Sequence, residues 1–347
     1  MKKKDTVKFL ICIPCYNCLE TIGRLLSSIE KQHYGNLVVI MCDDSDNDEL
    51  SLNIFDIKKK YKNITIDYYK REDSYEYHCP GNTRNSLLKR ALSYHDSGYM
   101  MFADNDDILE FDVLQTVNDF IADNAQPEVV VTNFNEWDET KHVYLSEITG
   151  NTWLHGKFYK TEFLKKFNIN FKMELYTHED LYFNCTVDSI IESMDLRKMY
   201  LSLYTYKWVY NKNSLSRRGF REGQHCFIEK YLNDYIHAAS DPFIKAALVT
   251  KEYSPIAYRR CIDALLYAYF YYQGALYRMN GNILPSCKDS IQSYIYRLIK
   301  TFNISKNDVI SLVYASPAEY MEKKQYSFMG VGPYIESESF GDFLLRI

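Results

Sequence analysis

The sequence predicts an α/β protein whose mainly parallel sheet is flanked by helices and followed by a mostly helical region. Apolar runs of strand length alternate with helical spacing in the first half of the chain, and acidic clusters directly follow two of the predicted strands. Beyond about residue 220 the strand signals stop and long helical patterns rich in tyrosine begin. We therefore expect two domains, 1–220 and 221–347.

The first strand, helix and strand are the clearest part of the pattern. Residues 7–13 (V-K-F-L-I-C-I) form an apolar run of strand length, and residues 20–30 place their apolar side chains at helical spacing. Residues 37–41 (L-V-V-I-M) give a second strand, which ends at the acidic run 43–48. This order of elements is typical of the beginning of a parallel sheet.

The alternation continues through the middle of the chain. Residues 64–69 are predicted to form a strand, 84–94 a helix and 99–103 a buried strand that leads into the acidic run 104–107. Residues 128–144 indicate that the sheet gains further strands, with antiparallel ones among them. Ligands of open α/β sheets bind beyond the carboxyl ends of the strands, so the position of the two acidic runs is informative.

The last third of the chain is predicted to be helical over 224–239, 255–279 and 286–302, and the stretch after 324 is predicted to be a tail or a loop that closes on the rest. Its tyrosines combine a large apolar ring with a polar tip, which suits a core, an interface or a sugar platform. A homo-oligomer formed through this region is one expectation. Nothing in the sequence assigns a function to this region.

Composition and charge exclude several classes of protein. The 347 residues are 46% hydrophobic and 25% charged, which excludes a disordered chain. Lysine and arginine number 41 and aspartate and glutamate 46, so the net charge of −5 argues against a general nucleic-acid binder, although the basic stretch 207–221 leaves room for a local patch. Nine scattered cysteines, an odd number, indicate reduced thiols.

The sequence predicts a cytoplasmic protein, with peripheral attachment to the inner face of the membrane as an alternative. The apolar run near the N-terminus is too short for a signal peptide and lacks a small-residue cleavage site. The apolar stretch 261–277 contains Asp263 and Gln273 and is shorter than the ~20 residues of a membrane span. A buried helix is the preferred interpretation of that stretch.

The acidic run Asp104-Asn105-Asp106-Asp107 presents carboxylates two residues apart after a strand. Carboxylate oxygens suit Mg²⁺ or Mn²⁺, which complete their coordination with diphosphate oxygens and water. The alternative is an acidic turn that caps the next helix. Asp43 and Asp44 could similarly accept hydrogen bonds from a base or ribose, or form a solvated loop.

A third acidic motif, His178-Glu179-Asp180, precedes an apolar and aromatic run. Acidic side chains at the start of a helix are stabilised by the helix dipole, which is one explanation of the motif. A positioned general base is the other.

Five short motifs in order resemble the signatures of family-two inverting glycosyltransferases, which use nucleotide sugars and have the GT-A fold. The resemblance covers roughly residues 7–220, and its motifs are I-P-C-Y-N at 13–17, D-D-S at 43–45, T-R-N at 83–85, D-N-D-D at 104–107 and H-E-D at 178–180. The stretch W-L-H-G-K-F-Y-K at 153–160 is similar to the acceptor side of the cleft in many such bacterial enzymes.

The resemblance implies a role for each matching residue. Asp180, oriented by Glu179, would be the catalytic base, and Asp106 with Asp104 would hold Mn²⁺ or Mg²⁺. The implied donor-binding residues are Pro14, Tyr16, Asn17, Asp43, Asp44, Arg84, Asp104, Lys207 and Arg217. Many relatives place a metal-binding histidine after the base, where this chain has Asn211 and Asn213, so the third protein ligand is open. His155 could substitute, although a lone histidine is more often a structural residue.

The implied function is that of an inverting hexosyltransferase with a UDP-sugar as the favoured donor and a glycan or other hydroxyl as the acceptor, in bacterial surface-glycan synthesis. One alternative is a phage-type transfer of sugar to a modified nucleic-acid base, and another is a non-catalytic nucleotide-sugar binding protein. The spacing of Cys12, Cys15 and Cys18 could also indicate zinc or an iron–sulfur cluster, but no second cysteine pair accompanies it.

Overall fold

A computed structural model describes most of the first 211 residues and parts of the remainder. The described ranges are 7–71, 79–95, 98–148, 153–173, 175 and 177–211, followed by shorter stretches of which 285–301, 303–318 and 336–346 are the longest. The predicted domain boundary near residue 220 lies outside the described residues, as do most of the predicted helices 224–239 and 255–279.

The described residues form nine strands in one sheet. Their bounds are β1 Phe9–Cys15, β2 Leu37–Asp43, β3 Thr65–Lys70, β4 Tyr99–Phe102, β5 Ile108–Leu109, β6 Val129–Asp138, β7 Val143–Ile148, β8 Lys157–Lys160 and β9 Lys198–Val209. The strand order is β3-β2-β1-β4-β8-β6-β9-β5, and β7 pairs with β6 outside this path. The predicted mixed α/β class with a mainly parallel sheet is confirmed.

The direction of the strands brings the polar motifs to one edge of the sheet. β1 pairs in parallel with β2 and β4, and β6 pairs in parallel with β9, while β8 runs antiparallel to both β4 and β6. The carboxyl ends of β1, β2, β4, β6 and β9 therefore lie along the same edge. The chain order reverses between β1 and β4, which is the switch point where open α/β sheets bind ligands.

Nine helices are described, and they agree in part with the sequence prediction. Their bounds are α1 Ile22–Glu30, α2 Glu49–Lys60, α3 Pro80–Leu92, α4 Val113–Asp123, α5 Thr161–Lys166, α6 Glu179–Ser193, α7 Pro285–Thr301, α8 Lys306–Tyr314 and α9 Phe340–Arg346. The helix predicted over 286–302 is confirmed as α7. The stretch after 324, predicted as a tail or a closing loop, instead contains the helix α9 over 340–346, in which Phe340, Phe343 and Leu344 are buried.

Alternating strand residues build the core of the sheet. Ile11, Val39 and Met101 point to the same side of β1, β2 and β4 and belong to one buried cluster. Leu25 of α1 and Val117 of α4 join that cluster. Each such side chain contributes about 1.5–3 kcal/mol on full burial, which explains why these apolar patterns determine the local structure.

The chain divides into two compact units. The first comprises residues 1–174 and 195–211, and the second comprises 175–194 and 212–347. Helix α6 belongs to the second unit, where Leu181 and Tyr182 pack in a cluster with Tyr269 and Phe343. None of the helices found among the described residues has the length and hydrophobicity needed to span a membrane.

Candidate functional site

The end of β1 is held to the loop after β2 by polar contacts. The backbone N–H of Asn17, a residue in the left-handed region at φ 46°, donates to Ser45 Oγ at 2.8 Å. Tyr16 is about half exposed, and its hydroxyl donates to Asp46 at 3.1 Å. The carbonyl of Pro14 accepts a hydrogen bond from the side chain of Asn105 at 3.1 Å. The structure thus brings the predicted residues Pro14, Tyr16 and Asn17 together at the switch point.

Both carboxylates of the D-D-S motif are buried and hydrogen-bonded. Asp43 accepts hydrogen bonds from the Ser45 hydroxyl at 2.6 Å and the Tyr68 hydroxyl at 2.8 Å. Asp44 pairs with Arg71 at 2.6 Å and accepts from the Thr83 hydroxyl at 2.8 Å. The solvated-loop interpretation of this motif is therefore wrong, because burial forces each carboxylate to find internal partners.

Helix α3 carries the predicted donor residue Arg84 to the acidic turn after β4. The Arg84 guanidinium is buried and donates to Asp104 Oδ1 at 2.9 Å. Burial alone would raise the pKa of Asp104, but the charge and hydrogen bond of Arg84, together with His155, hold that pKa below its ordinary value. Asp104 is therefore ionised at neutral pH and available to a cation.

Tyr206, from β9, connects the two ends of the acidic turn. Its hydroxyl accepts a hydrogen bond from the backbone N–H of Asp104 at 2.9 Å and donates to Asp107 Oδ2 at 2.6 Å. The other oxygen of Asp107 accepts from the backbone N–H of Val209 at 2.8 Å. Burial, followed by the charges of Asp104 and Asp106, raises the pKa of Asp107 well above its ordinary value. A positive charge at this position would favour the ionised form.

His155 reaches the same acidic turn from the residues before β8. It stacks on Tyr206 with ring centroids 4.7 Å apart, and Gly156 follows it with a φ of +66°. A Cβ on Gly156 would lie 2.9 Å from the Thr132 carbonyl, so the backbone conformation and the close approach both require glycine. Burial lowers the pKa of His155 to about 4, which keeps the imidazole neutral at pH 7.

Three of these side chains have the arrangement of a metal site. The ligand atoms of Asp104, Asp107 and His155 lie within 4.8 Å of one another. Nδ1 of His155 is buried without a hydrogen-bond partner, so a bound cation would resolve an unfavourable burial. Two carboxylates and a neutral imidazole suit Mn²⁺ better than Mg²⁺, which prefers oxygen ligands alone. The donor set therefore fits the expected cation.

Asp106, the metal ligand implied by the sequence motifs, lies outside this group of three. Its backbone carbonyl accepts a hydrogen bond from Arg24, which also pairs with Glu139 at the end of β6. The Asn211 side chain forms a hydrogen bond with the Asp106 carboxyl group. Burial and the charge of Asp104 raise the pKa of that carboxyl group. Asn211 therefore lies beside the acidic turn.

The motif of the predicted base begins α6, in the second unit. His178 has a left-handed φ of 64° immediately before the helix, and the Asp180 carboxylate accepts a hydrogen bond from the backbone N–H of Leu181 at 2.8 Å. Thr177 is fixed by its backbone N–H, which donates to Asp234 at 3.0 Å. Glu179 is buried, whereas Asp180 is only half-buried. These contacts hold Asp180 in the first turn of α6.

Lys207, which was expected among the donor contacts, lies on β9 in an aromatic environment. Its ammonium nitrogen is 3.3 Å from Glu110 and 5.1 Å from the ring centre of Trp137. The other predicted cation of this segment, Arg217, lies outside the described residues, as does Asn213.

The six described cysteines are free thiols, and Cys12, Cys15 and Cys18 are buried. Burial raises the pKa of the Cys12 thiol, which disfavours the thiolate that a zinc or iron site requires. In the described part of the chain, the group of potential metal ligands is Asp104, Asp107 and His155, and it includes none of these three cysteines.

Sequence reasoning did not assign a role to Asp107 or Tyr206. Asp107 was visible as the last acidic residue of its motif, but its pairing depends on a strand that follows some 100 residues later, as the hydrogen bond between residues 107 and 206 shows. Tyr206 is one of 32 tyrosines and nothing local distinguishes it from the others.

Comparison with known proteins identifies the family of this arrangement. The family model described as glycosyl transferase family 2 matches residues 10–177. The chain is similar to the glycosyltransferase GlyA of Streptococcus pneumoniae, with 22% identity over 248 residues, covering 64% of this chain and 33% of that protein. It is also similar to the poly(ribitol-phosphate) β-N-acetylglucosaminyltransferase TarS of Staphylococcus aureus. The identity is 25% over 190 residues, which cover 51% of this chain and 32% of that protein.

The chain spans about a third of the length of these two relatives. Among solved structures, the mannosyltransferase PcManGT of Pyrobaculum calidifontis, in complex with GDP-Man and Mn²⁺, resembles it with a TM-score of 0.50 and 14% identity, covering 98% of this chain and 85% of that one. The GT-A fold expected from the sequence motifs is confirmed.

Proposed function

Residues 10–177 belong to glycosyl transferase family 2, and on this premise we propose that the protein transfers a sugar from a nucleotide-diphosphate sugar to a hydroxyl group of a bacterial surface glycan. The observation that carries the proposal is the convergence of Asp104, Asp107 and His155 at the switch point, beside the I-P-C-Y-N and D-D-S motifs. The similarity to TarS, which is named as a poly(ribitol-phosphate) transferase, supports a polymer as the acceptor. A UDP-sugar is the favoured donor, as the resemblance of the sequence motifs implies.

The donor binds at the carboxyl ends of β1, β2 and β4. Tyr16 offers an exposed ring for stacking against the base, and the buried network of Asp44 and Arg71 shapes the floor beneath it. Arg84 keeps Asp104 ionised. The donor-binding set is completed by Pro14, Asn17, Asp43 and Arg217, as the sequence motifs imply, whereas Lys207, which they also imply, pairs with Glu110 instead.

Asp104, Asp107 and His155 would hold a divalent cation, Mn²⁺ by the donor set, with Asp106 as a further carboxylate. When bound, it would neutralise the charge that develops on the diphosphate as it leaves. Tyr206 and Val209 hold the Asp107 carboxylate in place, which is the usual role of residues that hydrogen-bond a metal ligand.

Asp180 acts as the general base. It takes the proton from the acceptor hydroxyl as that oxygen attacks the anomeric carbon on the face opposite the diphosphate, so a single displacement inverts the anomeric centre. Its place in the first turn of a helix lowers the energy of the ionised carboxylate, which is the form the reaction needs. Glu179, the neighbouring carboxylate, orients this turn.

The test is the release of nucleoside diphosphate from a panel of UDP- and GDP-sugars, with Mn²⁺ and with a chelator, in the presence of teichoic-type and lipid-linked glycan acceptors. We expect turnover with a UDP-sugar, loss with chelator and recovery with Mn²⁺. The anomeric configuration of the product, read by NMR, tests inversion. If no nucleotide sugar of the panel binds or reacts, the proposal is contradicted. Binding without turnover would favour the non-catalytic alternative.

A further inference from the structure

Four side chains form a compact cluster on one face of the β6, β7 and β9 strands. The rings of Trp137 and Tyr144 have centroids 4.8 Å apart, and the Lys207 ammonium lies 5.1 Å and 5.6 Å from their centres. The Lys207 Nζ lies 3.3 Å from Glu110 Oε2. The other carboxylate oxygen of Glu110, Oε1, accepts a hydrogen bond from the Tyr144 hydroxyl at 3.2 Å. We call Trp137, Tyr144, Lys207 and Glu110 the aromatic-ionic cluster.

The cluster is open to solvent. Tyr144 is 51% exposed, and its neighbours Val143 and Leu145 on β7 are exposed as well. The side chains of Lys207 and Glu110 are each 21% exposed, so both polar groups can reach a ligand. Aromatic side chains that serve only the core are buried, whereas a half-exposed ring offers an apolar face and a phenol group to a ligand.

A nearby amide adds an unused acceptor. Asn135 lies opposite Lys207 in the register of β6 and β9, and two residues before Trp137, so all three share one face of the sheet. Asn135 is buried, and its Oδ1 has no hydrogen-bond partner. A buried acceptor without a partner is costly in the free protein, and a hydroxyl donor from a ligand would remove that cost.

The charges of the cluster select an uncharged ligand. Burial lowers the pKa of Lys207, but Glu110 and Tyr144 raise this pKa by more, so it lies above its ordinary value. The ammonium therefore stays charged and neutralises the Glu110 carboxylate. A phosphate or carboxylate ligand would have to compete with Glu110 for the Lys207 ammonium, which Glu110 already pairs. A sugar ring fits better, because its C–H face packs against an aromatic ring while its hydroxyl groups bond to an ammonium, a carboxylate and an amide.

The cluster and the proposed metal site both lie near the carboxyl ends of β6 and β9, but on opposite faces of the sheet, because Lys207 alternates with Tyr206, the residue that stacks on His155. Val209, two residues after Lys207, donates its backbone N–H to Asp107. Arg24 connects the Asp106 carbonyl with Glu139, two residues after Trp137. The backbone of β9 and the side chain of Arg24 therefore link the cluster to the groups proposed to bind the donor diphosphate.

We propose that Trp137, Tyr144, Lys207 and Glu110 bind an uncharged pyranose ring of the acceptor glycan. The assignment to the acceptor rests on the proposed function, whereas the binding of a neutral sugar does not. Tyr144 supplies the exposed ring, Lys207 and Glu110 bond the hydroxyl groups, and Asn135 accepts a further hydrogen bond.

The test is saturation-transfer NMR on the full chain, with methyl β-D-glucopyranoside, cellobiose and N,N′-diacetylchitobiose as neutral probes and ribitol 5-phosphate as the anionic probe. We expect the ring protons of at least one neutral probe to receive saturation. Tyr144→Ala should weaken that binding about five-fold or more, because it removes the exposed ring. Tyr144→Phe should retain most of it.

Tyr200→Ala is the matched control, because Tyr200 is 63% exposed at the other end of β9 and lies outside the cluster. An unchanged signal in Tyr144→Ala, the absence of a signal from every neutral probe or a stronger response to ribitol 5-phosphate would each overturn the proposal. UDP-sugar binding, followed through the base protons in the same samples, tests the proposed function separately. Its failure would leave a sugar-binding result at the cluster intact.

Discussion

The hydroxyl of Tyr206 donates to the carboxylate of Asp107 at 2.6 Å, and this bond ties the last strand of the sheet to the acidic turn after β4. The same oxygen accepts the backbone N–H of Asp104. One buried hydroxyl therefore fixes both ends of the turn that carries the proposed cation ligands.

Replacing Tyr206 with phenylalanine should lower both stability and activity. The change leaves the Asp104 N–H and one Asp107 oxygen without this buried partner, which should cost about 1–3 kcal/mol of unfolding free energy. Urea denaturation measures this loss, and Mn²⁺-dependent release of nucleoside diphosphate measures the activity. Tyr200→Phe, at an exposed position, is the control and should behave like the wild type. Equal stability of both variants would contradict the prediction.

His155 should make the protein less stable in acid. Its pKa is lowered to about 4 by burial, so between an unperturbed value of about 6.5 and this value the unfolded chain binds more protons than the folded one. The contribution of neutral His155 is therefore complete above pH 6.5 and is lost as the pH falls toward 4.

The unfolding free energy that the protein loses between pH 7 and pH 4 should be about 3 kcal/mol smaller in His155→Gln than in the wild type. The measurement is urea denaturation at several pH values with chelator present, so that metal binding does not contribute. Identical pH dependence of the variant and the wild type would show that His155 is accessible and titrates normally.

The ligand set of the cation can be resolved by comparing single substitutions. Because Asp107 and His155 belong to the group that converges within 4.8 Å, Asp107→Asn and His155→Gln should each weaken Mn²⁺ binding about ten-fold or more. Electron paramagnetic resonance of free Mn²⁺ measures this directly. Asp106→Asn in the same titration decides whether Asp106 is also a ligand, and unchanged affinity in Asp107→Asn and His155→Gln would refute the assigned group.

Asp180→Asn should abolish most turnover without preventing donor binding. The amide cannot accept a proton, so kcat should fall about 10²–10⁴-fold, while the KM for the donor changes little. Asp195→Asn is a suitable control, since Asp195 is exposed after the same helix at a positive φ that asparagine tolerates. A variant with normal kcat would remove Asp180 from the mechanism.

Arg71→Met should destabilise the first unit. Arg71 and Asp44 have side chains only 4% and 9% exposed, and they pair at 2.6 Å. Removing one partner leaves a buried carboxylate without its charge partner, which should cost about 3–5 kcal/mol. Thermal or urea denaturation measures the loss. Arg90→Met, which breaks a more exposed pair with Asp67, should cost about 1 kcal/mol or less and serves as the control.

The sequence alone determined the central strands and the edge on which the polar motifs lie. The runs at 7–13, 37–41, 64–69 and 99–103 correspond to β1, β2, β3 and β4, with ends displaced by one or two residues. Such apolar runs predict strands reliably because the burial of a strand leaves a pattern in neighbouring residues. The residues that follow parallel strands then lie at the same edge of the sheet. Helix α2, mostly exposed and weakly patterned, was not recognised.

Only the tertiary structure decided which side chains meet. His155 joins Asp104 and Asp107 because β8 is inserted next to β4, and Tyr206 reaches Asp107 because β9 pairs with β5, which begins directly after Asp107. The grouping of α6 with the C-terminal helices and the exposure of Tyr144 also depend on packing. Residue spacing encodes local periodicity, whereas contacts between distant segments depend on how the whole sheet pairs, which no short stretch of sequence contains.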